Sequence, residues 1–208
     1  CGLLVDFSGP VQSITLEIAR AKKLSRAIKH LGMSSIRVPG NGVVGNQTVE
    51  STFKSVRKKI QQICQDAEQQ SVTVYLHNHN HGSVPSTGDQ VIRMLNEITN
   101  RNLSYILDTG QFQGSPGASG KGCLDEIARP ELYDSIAKCA DLAGMVRAKF
   151  YLSKSSYENW LDYPRIINIL KDVNFNGPLS IVYEPKGKIP STEAVPIAVK
   201  YLTKLFEN

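Results

Sequence analysis

An α/β fold of six βα units, a parallel sheet that is either open or part of a (β/α)8 TIM-barrel type, is predicted by three features of the chain. Short β-branched runs alternate with longer helix-favouring stretches, the pattern of a parallel sheet with crossover helices. The centres of the runs recur roughly every 35 residues, one βα unit per period. Gly and Pro collect just after the runs, at Pro39-Gly40-Asn41-Gly42, Gly110 and Pro185, where they mark tight βα turns.

The runs fall at 3–7, 35–38, 72–76, 103–107, 145–151 and 179–183. Helices are expected between and after them, at about 14–31, 48–70, 88–99, 125–142, 163–173 and 192–206. Eight such units need roughly 280 residues, close to the ~250 of a typical barrel, so 208 residues falls about two units short. Either the sheet is open or the first two βα units are missing, and a single domain over 1–208 is expected in both cases. An incomplete parallel sheet leaves unpaired backbone at its edges, which predicts an oligomer or a partner segment that completes the barrel. A start at Cys1 without methionine is in keeping with upstream sequence missing from this chain, or with processing.

Composition sets the outer limits. A hydrophobic fraction of 41% supports a buried core and excludes a disordered chain. Lys plus Arg is 24 and Asp plus Glu is 19, a net +5 spread along the sequence. Such a mild excess does not call for nucleic acid, which is not an expected partner, but it permits attraction of phosphorylated or carboxylated small molecules. No apolar run approaches the roughly 18 residues of a membrane helix, so no membrane association is expected. Cys1, Cys64, Cys123 and Cys139 are too scattered for a disulfide framework and point to a reducing, cytoplasmic location.

Chemistry in such folds gathers at the C-terminal ends of the strands. The run at 72–76 leads into His77-Asn78-His79-Asn80-His81, three of the four histidines of the chain. Strand alternation would put His77, His79 and His81 on one side, where imidazoles bind transition metals. The alternative is a polar loop whose histidines bond backbone carbonyls. Asp108 ends the next run, placed to act as a metal ligand or a base, or else to start a turn.

Arg147 and Lys149 share one face of the following run. Burying two cations is costly unless carboxylates or a substrate anion pair with them, so they are candidates for holding an anionic group; on an exposed edge they are ordinary solvated charges. Glu184 stands where the last run stops and is a candidate ligand or proton carrier, against a plain surface carboxylate. The segment 114–122 misses the GxxxxGK[ST] phosphate loop at two positions, Ser115 and Gly122, and reads as a βα loop. Asn46-Gln47-Thr48 and Asn102-Leu103-Ser104 fit the glycosylation triplet, a pattern common by chance.

Taken in order, VDF, LGMSSIRVPG, VTVYLHNHNHG, LSYILDTGQF, VRAKFY and WLDYPRIINILKDVNFNGPLSIVYEP make a chain that resembles the xylose isomerase-like barrel superfamily. That superfamily holds sugar isomerases, sugar phosphate isomerase/epimerases and the endonuclease IV proteins. The last segment is the most specific, being similar to a DYxRIxxxLxxxxxxGxxSIEYE run that leads into the final strand. The resemblance spans about 5–187 and makes Val5 part of the third barrel strand. It implies a divalent metal (Mn, Mg, Zn or Co) held by Glu, Asp, His and Glu, with the glutamates moving protons through an enediolate.

Carried over position by position, Asp108 matches the aspartate, while His77, Arg147 and Val182 stand where glutamate, histidine and glutamate are usual. Val182 can neither bind metal nor take a proton, and Glu184 lies about 7 Å further along the strand at ~3.3 Å per residue. The resemblance thus implies a carbohydrate or sugar-phosphate isomerase/epimerase with a remodelled site. In it His77, Asp108 and Glu184 are the catalytic and metal candidates, and His79, Arg147 and Lys149 hold the substrate. The second reading is a non-catalytic barrel used for binding or assembly. The endonuclease branch needs zinc-binding histidines from later strands, and no histidine follows His81.

Overall fold

Parallel strands cannot be joined by a tight hairpin, so each apolar run must be followed by a crossover, and the helix-favouring stretches supply it. The computed structural model describes residues 11–80, 82–116, 128–152, 158–185 and 189–207. It divides into two compact units, Cys1–Ile106 and Leu107–Asn208.

In the first unit α1 (Val11–His30) leads to β1 (Ser35–Pro39), and α2 (Val49–Glu68) leads to β3 (Thr73–His77). Between them β2 (Asn41–Gly42) pairs antiparallel with β4 (Ser83–Val84). Then α3 (Gly88–Glu97) leads to β5 (Leu103–Asp108), which begins in this unit and ends in the second. The strands run parallel in the order β1-β3-β5, with Pro39 opposite His77 and His77 opposite Ile106. Alternation inside β3 buries Val74 and Leu76.

The helix α2 covers this sheet because Phe53, Val56, Ile60, Ile63, Cys64 and Ala67 recur at helical spacing and are all buried. Its start is fixed by a reciprocal cap between Thr48 and Ser51. Burial pushes the Cys64 thiol up to about 12, with the Glu68 charge adding to it, so this cysteine is an inert core thiol. Asn102, one of the glycosylation triplets, is structural: its amide donates to the carbonyls of Val72 (2.8 Å) and Cys64 (3.2 Å).

In the second unit α4 (Pro130–Cys139) and a 3-10 turn (Ala140–Leu142) precede β6 (Met145–Phe150), and α5 (Tyr163–Asp172) precedes β7 (Leu179–Tyr183). The closing helix α6 covers Ser191–Glu207. Strands β6 and β7 are parallel, with Lys149 opposite Val182 and Phe150 opposite Tyr183. Asp162 caps α5 by accepting from Arg165 N–H, and Pro164 opens the helix where no donor is required. Phe150 stacks on Tyr163 at 4.5 Å, and Tyr201 meets both rings edge-on.

Five of the six expected strands are therefore in place, and each of the six expected helices is matched within a few residues. The sixth strand, at 3–7, lies outside the described residues, as does most of the 114–122 loop. Neither two-residue strand was expected: a pair that short carries no periodicity to read.

Candidate functional site

The charged cluster of the second unit is built by three neighbouring pieces of chain. After Asp108 the backbone stays beside β6, Thr109 N–H donating to the Arg147 carbonyl at 3.0 Å. The Thr109 hydroxyl then accepts from Lys149 N–H at 2.9 Å. On the other side, Glu184 N–H donates to the Phe150 carbonyl at 2.9 Å, which carries the β7 register one step past the strand.

These placements converge four of the expected residues. The Asp108 carboxylate is fully buried, with Arg147 Nη1 at 3.5 Å and Lys149 Nζ at 3.8 Å from its Oδ2. Lys149 Nζ also donates to Glu184 Oε1. The Lys149 side chain is 2% exposed, against 45% for Glu184 and 20% for Arg147. Strand alternation does put Arg147 and Lys149 on one face, and carboxylates offset the cost of burying them. Glu184 lies two residues beyond Val182, and the long lysine stem spans that step.

Asp108 fills its bland role as well, since its Oδ1 accepts from Gly110 N–H at 3.1 Å and so closes a turn. Tyr163, fully buried, donates its hydroxyl proton to the Lys149 carbonyl at 2.6 Å and meets Thr109 Oγ1 at 3.1 Å. Burial holds this phenol well above its ordinary range, so it remains a neutral donor.

A second buried carboxylate steadies the chain that follows β6. Glu158 accepts from four backbone N–H groups, those of Tyr151 (2.6 Å), Trp160 (2.8 Å), Leu152 (3.3 Å) and Leu161 (3.3 Å). Desolvation raises its pKa, and the four donors pull the other way. The rings of Tyr151 and Trp160 lie 5.0 Å apart under this clamp.

The histidines belong to the first unit. His77, 1% exposed, ends β3 with its Nδ1 3.1 Å from Arg37 Nη1. A guanidinium can only donate, so Nδ1 accepts and the ring proton sits on Nε2. His79 lies past the strand end; its Nδ1 is 3.1 Å from the Asn80 carbonyl and 3.4 Å from Ser83 Oγ, the carbonyl-bonded role anticipated as the alternative. The two rings are 6.2 Å apart at 69°. His81 lies outside the described residues.

Whether this chain can hold a divalent metal is decided by its donors. Among the described residues no group of three or more His, Cys, Asp and Glu is placed to do so, the expected set of His77, Asp108 and Glu184 included. The buried face of Asp108 already meets two cations, and Glu184 meets one of them. A third positive charge would be added against these. The residues do not fit the ion.

Arg37, Gly110, Tyr163 and Glu158 were not singled out from the sequence as site residues. Gly110 left a sign as a turn residue after the apolar run, and Tyr163 stands in the DYxRI-like run without its role being readable there.

The family model for the xylose isomerase-like TIM barrel matches residues 2–205. The chain belongs to this family. A crystal structure of D-psicose 3-epimerase with D-tagatose, from Clostridium cellulolyticum H10, matches with TM-score 0.63 and 13% identity over 97% of this chain and 70% of that one. The apo form of 3-keto-D-glucoside 4-epimerase from E. coli matches with TM-score 0.65 and 18% identity, over 97% of this chain and 75% of that one. A xylose isomerase-like TIM barrel protein from Mycobacterium smegmatis, in complex with magnesium, gives TM-score 0.67 and 12% identity over 95% and 69%. No curated protein matches the chain. At these identities the likeness establishes the fold. Among the described residues no helix is long and apolar enough to cross a membrane.

Proposed function

We propose that this barrel acts on a small hydroxy-carbonyl carbohydrate, a sugar or sugar phosphate, as an isomerase or epimerase working through an enediolate. One observation carries the reading: two carboxylates and two cations, Asp108, Glu184, Arg147 and Lys149, meet at strand ends in a family whose solved relatives include sugar epimerases. Glu184 is the carboxylate of the group that reaches solvent, and it takes the proton from the carbon beside the carbonyl. Arg147, permanently charged and partly exposed, faces the oxygen on which negative charge then develops. A proton from water on the opposite face of that carbon, Glu184 giving its own back to solvent, produces an epimer; delivery from Glu184 to the neighbouring carbon, with the hydroxyl proton passing to the other oxygen, produces an isomer.

Asp108 and Lys149 hold these two in position. For His77 and His79 the proposal is hydrogen bonding to hydroxyl groups, tested separately by His77→Gln. The unbroken match over 2–205 supports treating 1–208 as one domain. The buried thiol of Cys64, in no disulfide, supports a reducing, cytoplasmic location. Self-association, or completion by a partner segment, is part of the proposal and is checked by size-exclusion chromatography with light scattering.

The test is solvent exchange. Incubated in D2O with ketohexoses, ketopentoses and their phosphates, the protein should wash deuterium into the carbon beside the carbonyl of at least one of them, seen by proton NMR. Glu184→Gln should stop it. The second reading, a barrel that binds sugars without turnover, is favoured by the ammonium of Lys149 lying on the proposed base. Saturable sugar binding by calorimetry with no exchange in any sugar would decide for it.

A further inference from the structure

We infer that Lys149 is a resident cation that stands in for a divalent metal between the carboxylates of this site. The inference rests on the reading of Asp108, Arg147, Lys149 and Glu184 as the functional cluster, and names what organises it.

The position of the lysine makes the case. Its backbone pairs with Val182, a residue with nothing to offer a cation, yet its side chain extends past that level and brings one ammonium to both carboxylates. A surface lysine would leave its head group in water; here stem and head together are 2% exposed. The neighbouring strand end makes room for it: Gly110 has no side chain, and a Cβ there would stand 2.5 Å from Lys149 Cγ. A neighbouring strand end without a side chain, two carboxylates within ion-pair reach and a register partner that cannot ligate are the features of a seat built for an ammonium.

The charges lead to the same place. Asp108 and Glu184 carry two negative charges, and Arg147 with Lys149 carries two positive ones, so the cluster is neutral as it stands. A divalent ion brought within ligand distance of Asp108 would meet both cations beside a carboxylate that is itself shut off from water, where screening is weakest. An ammonium also differs from a metal in how it holds the two carboxylates: it does so as a compact, fixed charge, with no coordination shell to fill. The corollary is a site whose organising cation cannot be stripped by a chelator.

The experiment measures manganese alone, by electron paramagnetic resonance of free Mn2+ titrated with protein. The wild-type chain should show no stoichiometric binding up to ~1 mM. Lys149→Met keeps the buried stem and removes the charge; it should bind about one Mn2+ per chain at least tenfold more tightly, and adding Asp108→Asn should abolish the gain. One Mn2+ bound by the wild type and lost in Asp108→Asn would overturn the inference. So would a folded Lys149→Met that binds no better than wild type. Should Lys149→Met fold poorly on its own, refolding with and without 1 mM Mn2+ becomes the readout: rescue by the ion supports the inference and failure of rescue overturns it. No arm measures sugar turnover, so the enediolate proposal stands or falls apart from this one.

Discussion

The side chain of Lys149 crosses directly over Gly110, close enough that a Cβ on the glycine would lie 2.5 Å from Lys149 Cγ, 2.8 Å from its Cβ and 3.0 Å from the Tyr151 hydroxyl. Space rather than backbone freedom is what the position demands. Gly110→Ala should push Lys149 off its two carboxylates and cost about 1–3 kcal/mol, the usual range for overpacking a close-packed site. Urea denaturation gives the loss directly. A change below ~0.5 kcal/mol would mean that the lysine stem is not seated where the geometry puts it.

Glu158 provides a pH-dependent reading of the chain around it. Its pKa is raised above the ordinary 4.5, desolvation outweighing the four backbone donors. A carboxyl with a raised value in the folded state favours folding while protonated. Its contribution is therefore complete below pH 4.5 and is lost as pH rises through the raised value. Glu158→Gln removes this titration and leaves two of the four N–H groups without an oxygen, a loss of about 1–3 kcal/mol. Wild-type stability minus that of the variant should shrink as pH rises from mildly acidic to neutral. A constant difference across that range would remove Glu158 as a titrating clamp.

What the sequence disclosed and what it hid divide along the range of the interactions involved. Asp108, Arg147, Lys149 and Glu184 were readable because each stands in or just after an apolar run, and parallel strands bring successive ends together. The period-2 face of β6 followed from alternation alone. The contact from Lys149 to Glu184 was not readable: counted along the strand, Glu184 looked about 7 Å out of place. The count measured backbone, and the long side chain made up the difference.

Glu158 and Tyr163 were invisible for another reason. Glu158 gathers backbone N–H groups from its own loop and Tyr163 a carbonyl of β6, and no residue pattern announces which backbone groups will need a side-chain partner. His79 shows the limit of alternation itself, because β3 stops at His77 and the extended geometry that would align the imidazoles is not continued as strand.

Tyr163 ties the end of β5 to β6 with a single proton. Its hydroxyl donates to the Lys149 carbonyl, so the contact with Thr109 Oγ1 must use the threonine proton, while the same Thr109 oxygen accepts from Lys149 N–H. All donors in this fully buried chain are used in one direction. Tyr163→Phe leaves the buried Lys149 carbonyl without this donor and the Thr109 hydroxyl proton without this acceptor, and the melting midpoint should fall in step with a loss of about 1–3 kcal/mol. Thr109→Val should cost a comparable amount, and the pair together less than the sum, since both disrupt one network. Fully additive losses would argue against that network.

Lys149 and Asp108 should be energetically coupled. Asp108 is completely buried, and the two cations within 4 Å of its Oδ2 are what make that tolerable. Lys149→Met removes one of them and strands part of the carboxylate charge, for which removal of one partner of a buried pair suggests a cost of about 3–5 kcal/mol. Asp108→Asn strands the ammonium less severely, because Glu184 still accepts from it and reaches solvent. In the double variant Lys149→Met/Asp108→Asn neither charge is left to solvate, and the total loss should fall short of the sum of the single losses by roughly 0.5–3 kcal/mol. Denaturant melts of the four proteins complete the cycle. Strict additivity would mean that the ammonium draws its stability from Glu184 alone, and Asp108 would then have to be held by Arg147 and the Gly110 amide without help from the lysine.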